Sequence, residues 1–220
     1  MLKSKRKISS PLKGKFKGRI AILNFFISNP DSLLSEWKEF EKDDVTNIIQ
    51  NCKNYLEYSA GKAGRNLDLS IKSYSIEVNK DPLPVNCCSC LSVDWIDEVI
   101  KQTQFKSYEA AVKKIKTRQR REPIFLLHYR MEGCSYAISS GTKSRIAILF
   151  FVHNSKLVNR NDYYILRPNR NESIYAHEIL HLFGATDRKR PKYPELMGIP
   201  DDQLLYTTLS RRTKREIGWL

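Results

Sequence analysis

Two histidines one helical turn apart are the residues whose type and spacing point most directly to chemistry. His177 and His181 stand four positions apart, so in a helix both imidazoles face the same side and can reach one metal ion. Glu178, directly after the first histidine, projects toward the open side of such an ion. A carboxylate there can take a proton from metal-bound water and later deliver it to a leaving amine. The spacing therefore predicts a metal site with a general base beside it.

The residues after this pair offer a helix end and a third carboxylate. Gly184 falls where the helix must stop, because glycine tolerates the positive φ that redirects the chain at a helix end. Asp187 then comes round as a third ligand. Other carboxylates could in principle complete a different arrangement of the two histidines: Glu195, Asp201, Asp202 and Glu216. The position of Gly184 favours Asp187.

Met197 stands ten residues after Asp187, in a segment whose prolines, at 194 and 200, indicate a turn. With this methionine the sequence resembles the metzincin clan of zinc endopeptidases, whose pattern is His-Glu-x-x-His-x-x-Gly-x-x-His/Asp followed by a Met-turn. Aspartate as third ligand and Glu-Leu-Met at this spacing look like the small snapalysin-type bacterial members. The close match covers roughly residues 173–200.

The resemblance implies an α+β fold in which a twisted mixed β-sheet is backed by a long first helix. An active-site helix, a Met-turn and a C-terminal helix complete it. It also implies one Zn²⁺ per chain, held by His177, His181 and Asp187, with Glu178 as general base for the hydrolysis of peptide bonds. Met197 would fill space beneath the metal without ligating it.

The resemblance further implies how a protein or peptide substrate binds. In such enzymes an edge strand of the sheet binds an extended substrate by strand addition, and segments 147–153 and 163–167 are the two candidates for that edge. Some clan members place a tyrosine two residues beyond the turn methionine, where this sequence has Ile199. Tyr193 and Tyr206 are therefore the candidates for stabilising an oxyanion.

Hydrophobic periodicity predicts the elements that must position this motif. A buried strand over 19–28 is followed by a helix that Asn29 caps and Pro30 begins, ending near 61–64. The apolar positions expected on the buried face of this helix are Leu33, Leu34, Trp37, Phe40, Val45, Ile48, Ile49, Cys52 and Leu56. Further strands are predicted over 67–78, 123–129, 147–153 and 163–167, with a short hairpin strand over 134–138. Further helices are predicted over 94–104, 107–120, 172–183 and 209–219.

These elements suggest a single metalloprotease domain over residues 19–220, preceded by a flexible basic tail over 1–18. The domain divides into an upper part, 19–183, which includes the active-site helix, and a lower part, 184–220. Residues 81–121 form an insertion in the upper part.

A strong positive charge is the second prominent property of the chain. The formal net charge is +14, and the first nineteen residues hold eight basic residues and no acidic one. A second basic cluster lies between Lys113 and Arg121. Such a surface attracts nucleic acid or another anionic partner, so the alternative function is a basic binding protein with a structural zinc site. No helix-turn-helix, zinc-finger or RNA-binding signature accompanies the charge.

Cysteine usage and hydropathy suggest a compartment. The five cysteines are odd in number and three are crowded at Cys87, Cys88 and Cys90, which is unlike a secreted disulfide framework. No signal peptide and no apolar run long enough to span a bilayer is seen, so a cytoplasmic protein with reduced thiols is expected. The three cysteines also allow two other ideas, a second zinc site with Cys134 or a thiolate that blocks the catalytic zinc. His128 and His153 stand in predicted strands and are expected to be packed or rim histidines rather than ligands.

Overall fold

A five-stranded β-sheet forms the centre of the computed structural model, which describes residues 12–30, 36–78, 96–130, 135–138, 144–151, 170–189, 194–198 and 204–220. The strands are β1 (Gly18–Ser28), β2 (Leu67–Glu77), β3 (Glu122–Tyr129), β4 (Tyr136–Ile138) and β5 (Ile146–Phe150). Their order is β2-β1-β3-β5-β4. The first four in this order are parallel, whereas β4 runs antiparallel to β5. The coarse prediction of an α+β chain with a mixed sheet is confirmed.

The central strand β1 is buried on both faces. Residues 20–27 are all buried, which is why every residue of this segment except Asn24 is apolar and the pattern does not alternate. Ile20, Ile22 and Phe26 contribute to one hydrophobic core, and Leu23 and Phe25 contribute to a second core on the other face. The sheet therefore needs helices on both sides.

The long helix α1 (Glu39–Lys62) covers the first face, but it begins nine residues later than Pro30, where the sequence pattern placed its start. The Glu41 carboxylate accepts a hydrogen bond from the Lys38 backbone N–H at 3.0 Å and fixes the start there. Trp37 lies before the helix, and its indole donates to the Ile27 carbonyl at 3.0 Å. Phe40, predicted to be buried, is 48% exposed. Leu33 and Leu34 lie outside the described residues.

The second face is covered by the segment that was predicted as an insertion. Its described part contains α2 (Ile96–Lys101) and α3 (Tyr108–Lys114), which continues into a π-helical turn over Ile115–Gln119. Parallel strands require a crossover connection, and this one joins β2 to β3. The segment is therefore the crossover that closes the second core.

The basic cluster on this crossover is partly engaged within the chain. Arg121 binds the Asp68 carboxylate at 2.7 Å and Lys116 binds Glu122 at 3.1 Å. Lys114 lies over the ring of Phe105. The nucleic-acid alternative gains no support from these contacts and stays a prediction.

Residues 12–18 are packed into the fold and do not form a flexible tail, so that prediction is wrong for this stretch. Leu12 and Phe16 are fully buried. The Phe16 ring lies 4.4 Å from the ring of Phe183 and stacks on Trp219 at 5.6 Å. Many lysines surround these two apolar residues in the sequence, so the charge of the segment predicted a tail and not a packed segment. Residues 1–11 lie outside the described part of the chain.

Two further helices complete the first face. Helix α4 (Arg170–Leu182) packs beside α1, where the Cys52 thiol donates to the Glu172 carbonyl at 3.1 Å. Helix α5 (Arg211–Glu216) lies near the C-terminus, after a short 3₁₀ helix over Leu204–Tyr206. None of the described helices is long and apolar enough to cross a membrane.

The edge of the sheet differs from the prediction. Strand β5 lies between β3 and β4, so residues 147–150 of the predicted segment 147–153 do not form an edge. Within the described residues the edges are β2 and the three-residue strand β4. Segment 163–167, the other predicted edge, lies outside them.

Candidate metal centre

Three electron-pair donors converge at the C-terminal half of α4. The Nε2 atoms of His177 and His181 are 2.9 Å apart. The Oδ1 atom of Asp187 is 3.2 Å from each of them. Among the described residues, these three form the group of side chains close enough to share one metal ion. The structure thus brings together the three ligands that the spacing predicted.

Two backbone carbonyls determine which nitrogen of each imidazole carries a hydrogen and which can face a metal. Nδ1 of His177 lies 2.8 Å from the Leu196 carbonyl, and Nδ1 of His181 lies 2.8 Å from the Ala185 carbonyl. A carbonyl can only accept, so each Nδ1 carries a hydrogen, and in a neutral imidazole Nε2 then holds the lone pair that can bind a metal. Two lone pairs that face each other at 2.9 Å repel unless a cation lies between them. This is the orientation that second-shell carbonyls impose on metal-ligating histidines.

The donor set fits zinc in chemistry and in spacing. Two neutral imidazoles and one carboxylate are common ligands of catalytic zinc, which keeps a further position open. Bonds of about 2.0–2.1 Å in a tetrahedral site place the ligand atoms about 3.3 Å apart, close to the 2.9–3.2 Å found here. Burial lowers the pKa of His177, which favours the neutral form that a metal requires.

Gly184 lets the chain turn from α4 to Asp187. Its φ is +96°, in the region of backbone conformation that residues with a Cβ atom avoid. A Cβ at this position would lie 2.6 Å from Cγ of Lys13, so there is no space for one either. The Gly184 N–H donates to the His181 carbonyl at 3.0 Å, which ends the helix directly after the second ligand. Asp187 follows on the open side, with 74% of its side chain exposed.

Glu178 lies on the same helix in a desolvated position. Only 6% of its surface is exposed, and its Oε2 atom has no hydrogen-bond partner among the described residues. Burial, and then the negative charge of Asp187, raise the pKa of Glu178 to about 8. A cation held by the three donors would lower this pKa through Coulomb attraction. A buried carboxylate whose affinity for a proton is raised in this way is suited to general acid–base chemistry.

The segment around Met197 supports two of the ligands through its backbone. The Leu196 carbonyl binds His177, and the Met197 carbonyl accepts the N–H of Arg188, next to Asp187, at 2.7 Å. Thr208 holds the segment by hydrogen bonds with Pro194 and Leu196. The Met197 side chain is fully buried. Its predicted role beneath a metal stays a prediction.

The remaining predicted residues have varied positions. Tyr206 lies in the 3₁₀ helix with 71% of its surface exposed, and its role as an oxyanion stabiliser stays a prediction. Glu195 and Glu216 lie close to Arg188 and are not among the converging donors. His128 is buried against the Tyr175 hydroxyl at 3.2 Å, as a packed histidine. The candidates that lie outside the described residues are Tyr193, Ile199, Asp201, Asp202, His153, Cys87, Cys88, Cys90 and Cys134.

The carbonyls of Ala185 and Leu196 are functional groups that sequence reasoning missed. They orient the imidazoles, yet they belong to the main chain, which every residue has. Gly184 is the one residue whose type indicates the position of such a carbonyl. It marks where the chain turns back and brings the Ala185 carbonyl to His181. The role of a main-chain carbonyl therefore cannot be predicted from the type of the residue that carries it.

Comparisons with known proteins show which solved structures the fold resembles. No family model and no curated protein matches the sequence. The structure resembles OgpA from Akkermansia muciniphila at 12% identity and a TM-score of 0.50, over 96% of this chain and 62% of that one. A zinc-dependent peptidase from Methanocorpusculum labreanum aligns at 16% identity and a TM-score of 0.47, over 89% of this chain and 99% of that one. The chain thus spans less than two thirds of OgpA, and the likeness concerns the fold alone.

Proposed function

We propose that this chain is a zinc-dependent endopeptidase of the metzincin type, similar to snapalysin. The observation that carries the proposal is the pair of Nε2 atoms, 2.9 Å apart and each 3.2 Å from Asp187 Oδ1, with the buried carboxylate of Glu178 on the same helix. His177, His181 and Asp187 would hold one zinc ion. A bound zinc would polarise the peptide carbonyl and make a water acidic enough to act as nucleophile.

The chain's own residues account for the movement of protons. The carbonyls of Leu196 and Ala185 keep a hydrogen on each Nδ1, so Nε2 is the nitrogen of each ring that is left to bind the metal. Glu178 takes a proton from the attacking water at its unpartnered Oε2 and then gives it to the departing amine. Met197 fills the space beneath the ligands, and Tyr193 or Tyr206 stabilises the oxyanion.

The sheet edge supports a peptide as substrate. Among the described strands β4 is the outermost one beside β5, and it packs against α4, which carries His177 and His181. An extended peptide can pair with the outer backbone groups of such a strand. We assign Tyr136–Ile138 as the strand to which the substrate adds.

The test compares wild type with Glu178→Gln and, as a matched control on the same helix, Glu172→Gln. Zinc is determined by elemental analysis, and cleavage is assayed on a broad peptide library. Both variants are expected to keep about one zinc per chain. Turnover should fall about 10²–10⁴-fold in Glu178→Gln alone, because that variant loses the proton carrier. Undiminished cleavage by Glu178→Gln would refute the role of Glu178 as proton carrier. A wild-type protein that contains no zinc would refute the proposal of a zinc-dependent endopeptidase.

A further inference from the structure

Asp187 differs from the two histidine ligands in how it is supported. The histidines lie on a helix, and backbone carbonyls hold their rings. Asp187 lies in an irregular segment after Gly184, and its side chain is 74% exposed. A ligand on such a segment needs its neighbours to be held in place.

A single carboxylate, that of Glu216 in α5, binds the residues on both sides of Asp187. Its Oε2 atom accepts the Thr186 N–H at 3.1 Å, and its Oε1 atom accepts the Thr186 hydroxyl at 3.0 Å. The same Oε2 atom accepts Nη2 of Arg188 at 2.6 Å. Asp187 is thus flanked by two residues that share one anchor.

Arg188 adds further bonds to this arrangement. Its side chain is only 9% exposed and lies between two carboxylates, Glu216 at 2.6 Å and Glu195 at 3.9 Å. Its Nη1 donates to the Thr186 carbonyl at 2.6 Å, which closes a ring of bonds around Asp187. Its N–H donates to the Met197 carbonyl.

The anchor itself is fixed to the core. Ser210 caps α5 by accepting the N–H of Thr213, and Ile217 and Trp219, directly after the helix, are fully buried. Trp219 stacks on Phe16. The position of the Glu216 carboxylate is therefore determined by the hydrophobic core rather than by a mobile surface segment.

We propose that Glu216 is a positioning residue for the metal site, which holds Asp187 in place through Thr186 and Arg188. The inference rests on the proposed zinc site and extends it to α5. Partners that orient metal ligands typically change metal affinity 10–100-fold when they are removed. Loss of the Glu216 carboxylate should therefore weaken zinc binding only in a protein that has Asp187.

The experiment measures the zinc dissociation constant by competition with chelators of graded affinity, for wild type, Glu216→Gln and Arg212→Met. Glutamine keeps the size of the side chain but is uncharged and has an NH₂ group in place of one acceptor oxygen, so it cannot keep all three bonds to Thr186 and Arg188 at full strength. Arg212 binds the same carboxylate at 3.1 Å from within α5, but touches neither neighbour of Asp187. We expect a 10–100-fold weaker affinity in Glu216→Gln and no change in Arg212→Met.

The same measurements in an Asp187→Ala background distinguish positioning from general destabilisation. If Glu216 acts through Asp187, Glu216→Gln has no further effect there. An equal loss in both backgrounds, or an equal loss in Arg212→Met, would overturn the proposal. If Glu216→Gln does not fold, Thr186→Val removes one bond to the same carboxylate and should weaken zinc binding several-fold in the wild-type background only.

These results can be separated from a failure of the proposed function. A wild type that binds zinc but cleaves no peptide leaves the role of Glu216 fully measurable by affinity. A wild type that binds no zinc overturns both proposals.

Discussion

The turn at Gly184 allows a quantitative prediction for the substitution Gly184→Ala. An L-residue in the left-handed region costs about 1–2 kcal/mol. A Cβ 2.6 Å from Cγ of Lys13 and 3.4 Å from its Cα adds an overpacking cost of about 1–3 kcal/mol. The smaller entropy of the unfolded alanine chain offsets about 0.4–1 kcal/mol. We therefore expect a loss of about 1–5 kcal/mol in the free energy of unfolding.

Two other glycines separate these contributions. Gly64 also has a positive φ, +69°, but a Cβ there would have no neighbour within 4 Å. Gly64→Ala should therefore show the backbone cost alone, about 1 kcal/mol or less. Gly61 lies in α1 with open space around it, so Gly61→Ala should stabilise the chain by about 0.5–1 kcal/mol.

The assay is urea unfolding of the three variants and wild type after removal of metal, followed by zinc titration. Gly184→Ala should also weaken zinc binding, because Ala185 and Asp187 follow the turn directly. A Gly184→Ala variant that loses no more stability than Gly64→Ala would refute the close packing of Lys13 against this turn. It would then also remove the reason for expecting weaker zinc binding.

Two further predictions concern the core and pH. Phe16→Ala should lower the free energy of unfolding by about 3–5 kcal/mol, since Phe16 is fully buried between Phe183 and Trp219; the exposed neighbour Lys15→Ala should change it by less than about 0.5 kcal/mol. Equal urea midpoints for the two variants would contradict the packing of residues 12–18. Burial lowers the pKa of His128 to about 3, so between about pH 6.5 and pH 3 the unfolded chain binds a proton that the folded chain does not, and stability falls as the pH falls. Unfolding of the metal-free protein should therefore depend on pH less steeply in His128→Gln, by up to about 1.4 kcal/mol per pH unit; parallel profiles would show that His128 is protonated in the folded chain.

The parts of the fold that follow from local pattern could be predicted from the sequence. The buried part of strand β1, residues 20–27, is apolar except at Asn24 because both of its faces are buried. The two histidines, Gly184 and Asp187 lie close in sequence, so helical geometry and one turn bring them together. These predictions needed no knowledge of distant contacts.

The parts that depend on distant or main-chain partners could not be predicted. The start of α1 is decided by Glu41, which binds both the Lys38 N–H and Arg130, a residue 89 positions away. The pairing of Arg188 with Glu216 joins residues 28 positions apart with no repeating pattern. Leu12 and Phe16 are two apolar residues among lysines, and the aromatic partners of Phe16, Phe183 and Trp219, lie far along the chain.

The contact between Phe16 and Trp219 also bears on the order in which the site forms. It joins residues 203 positions apart, and contacts of such long range form slowly because a large loop must close first. The helix with both histidines is local and can form early, whereas the anchor of the third ligand depends on this late closure. A growing chain would therefore carry the two histidines well before it could hold Asp187 beside them, so the order of folding would delay assembly of the proposed metal site.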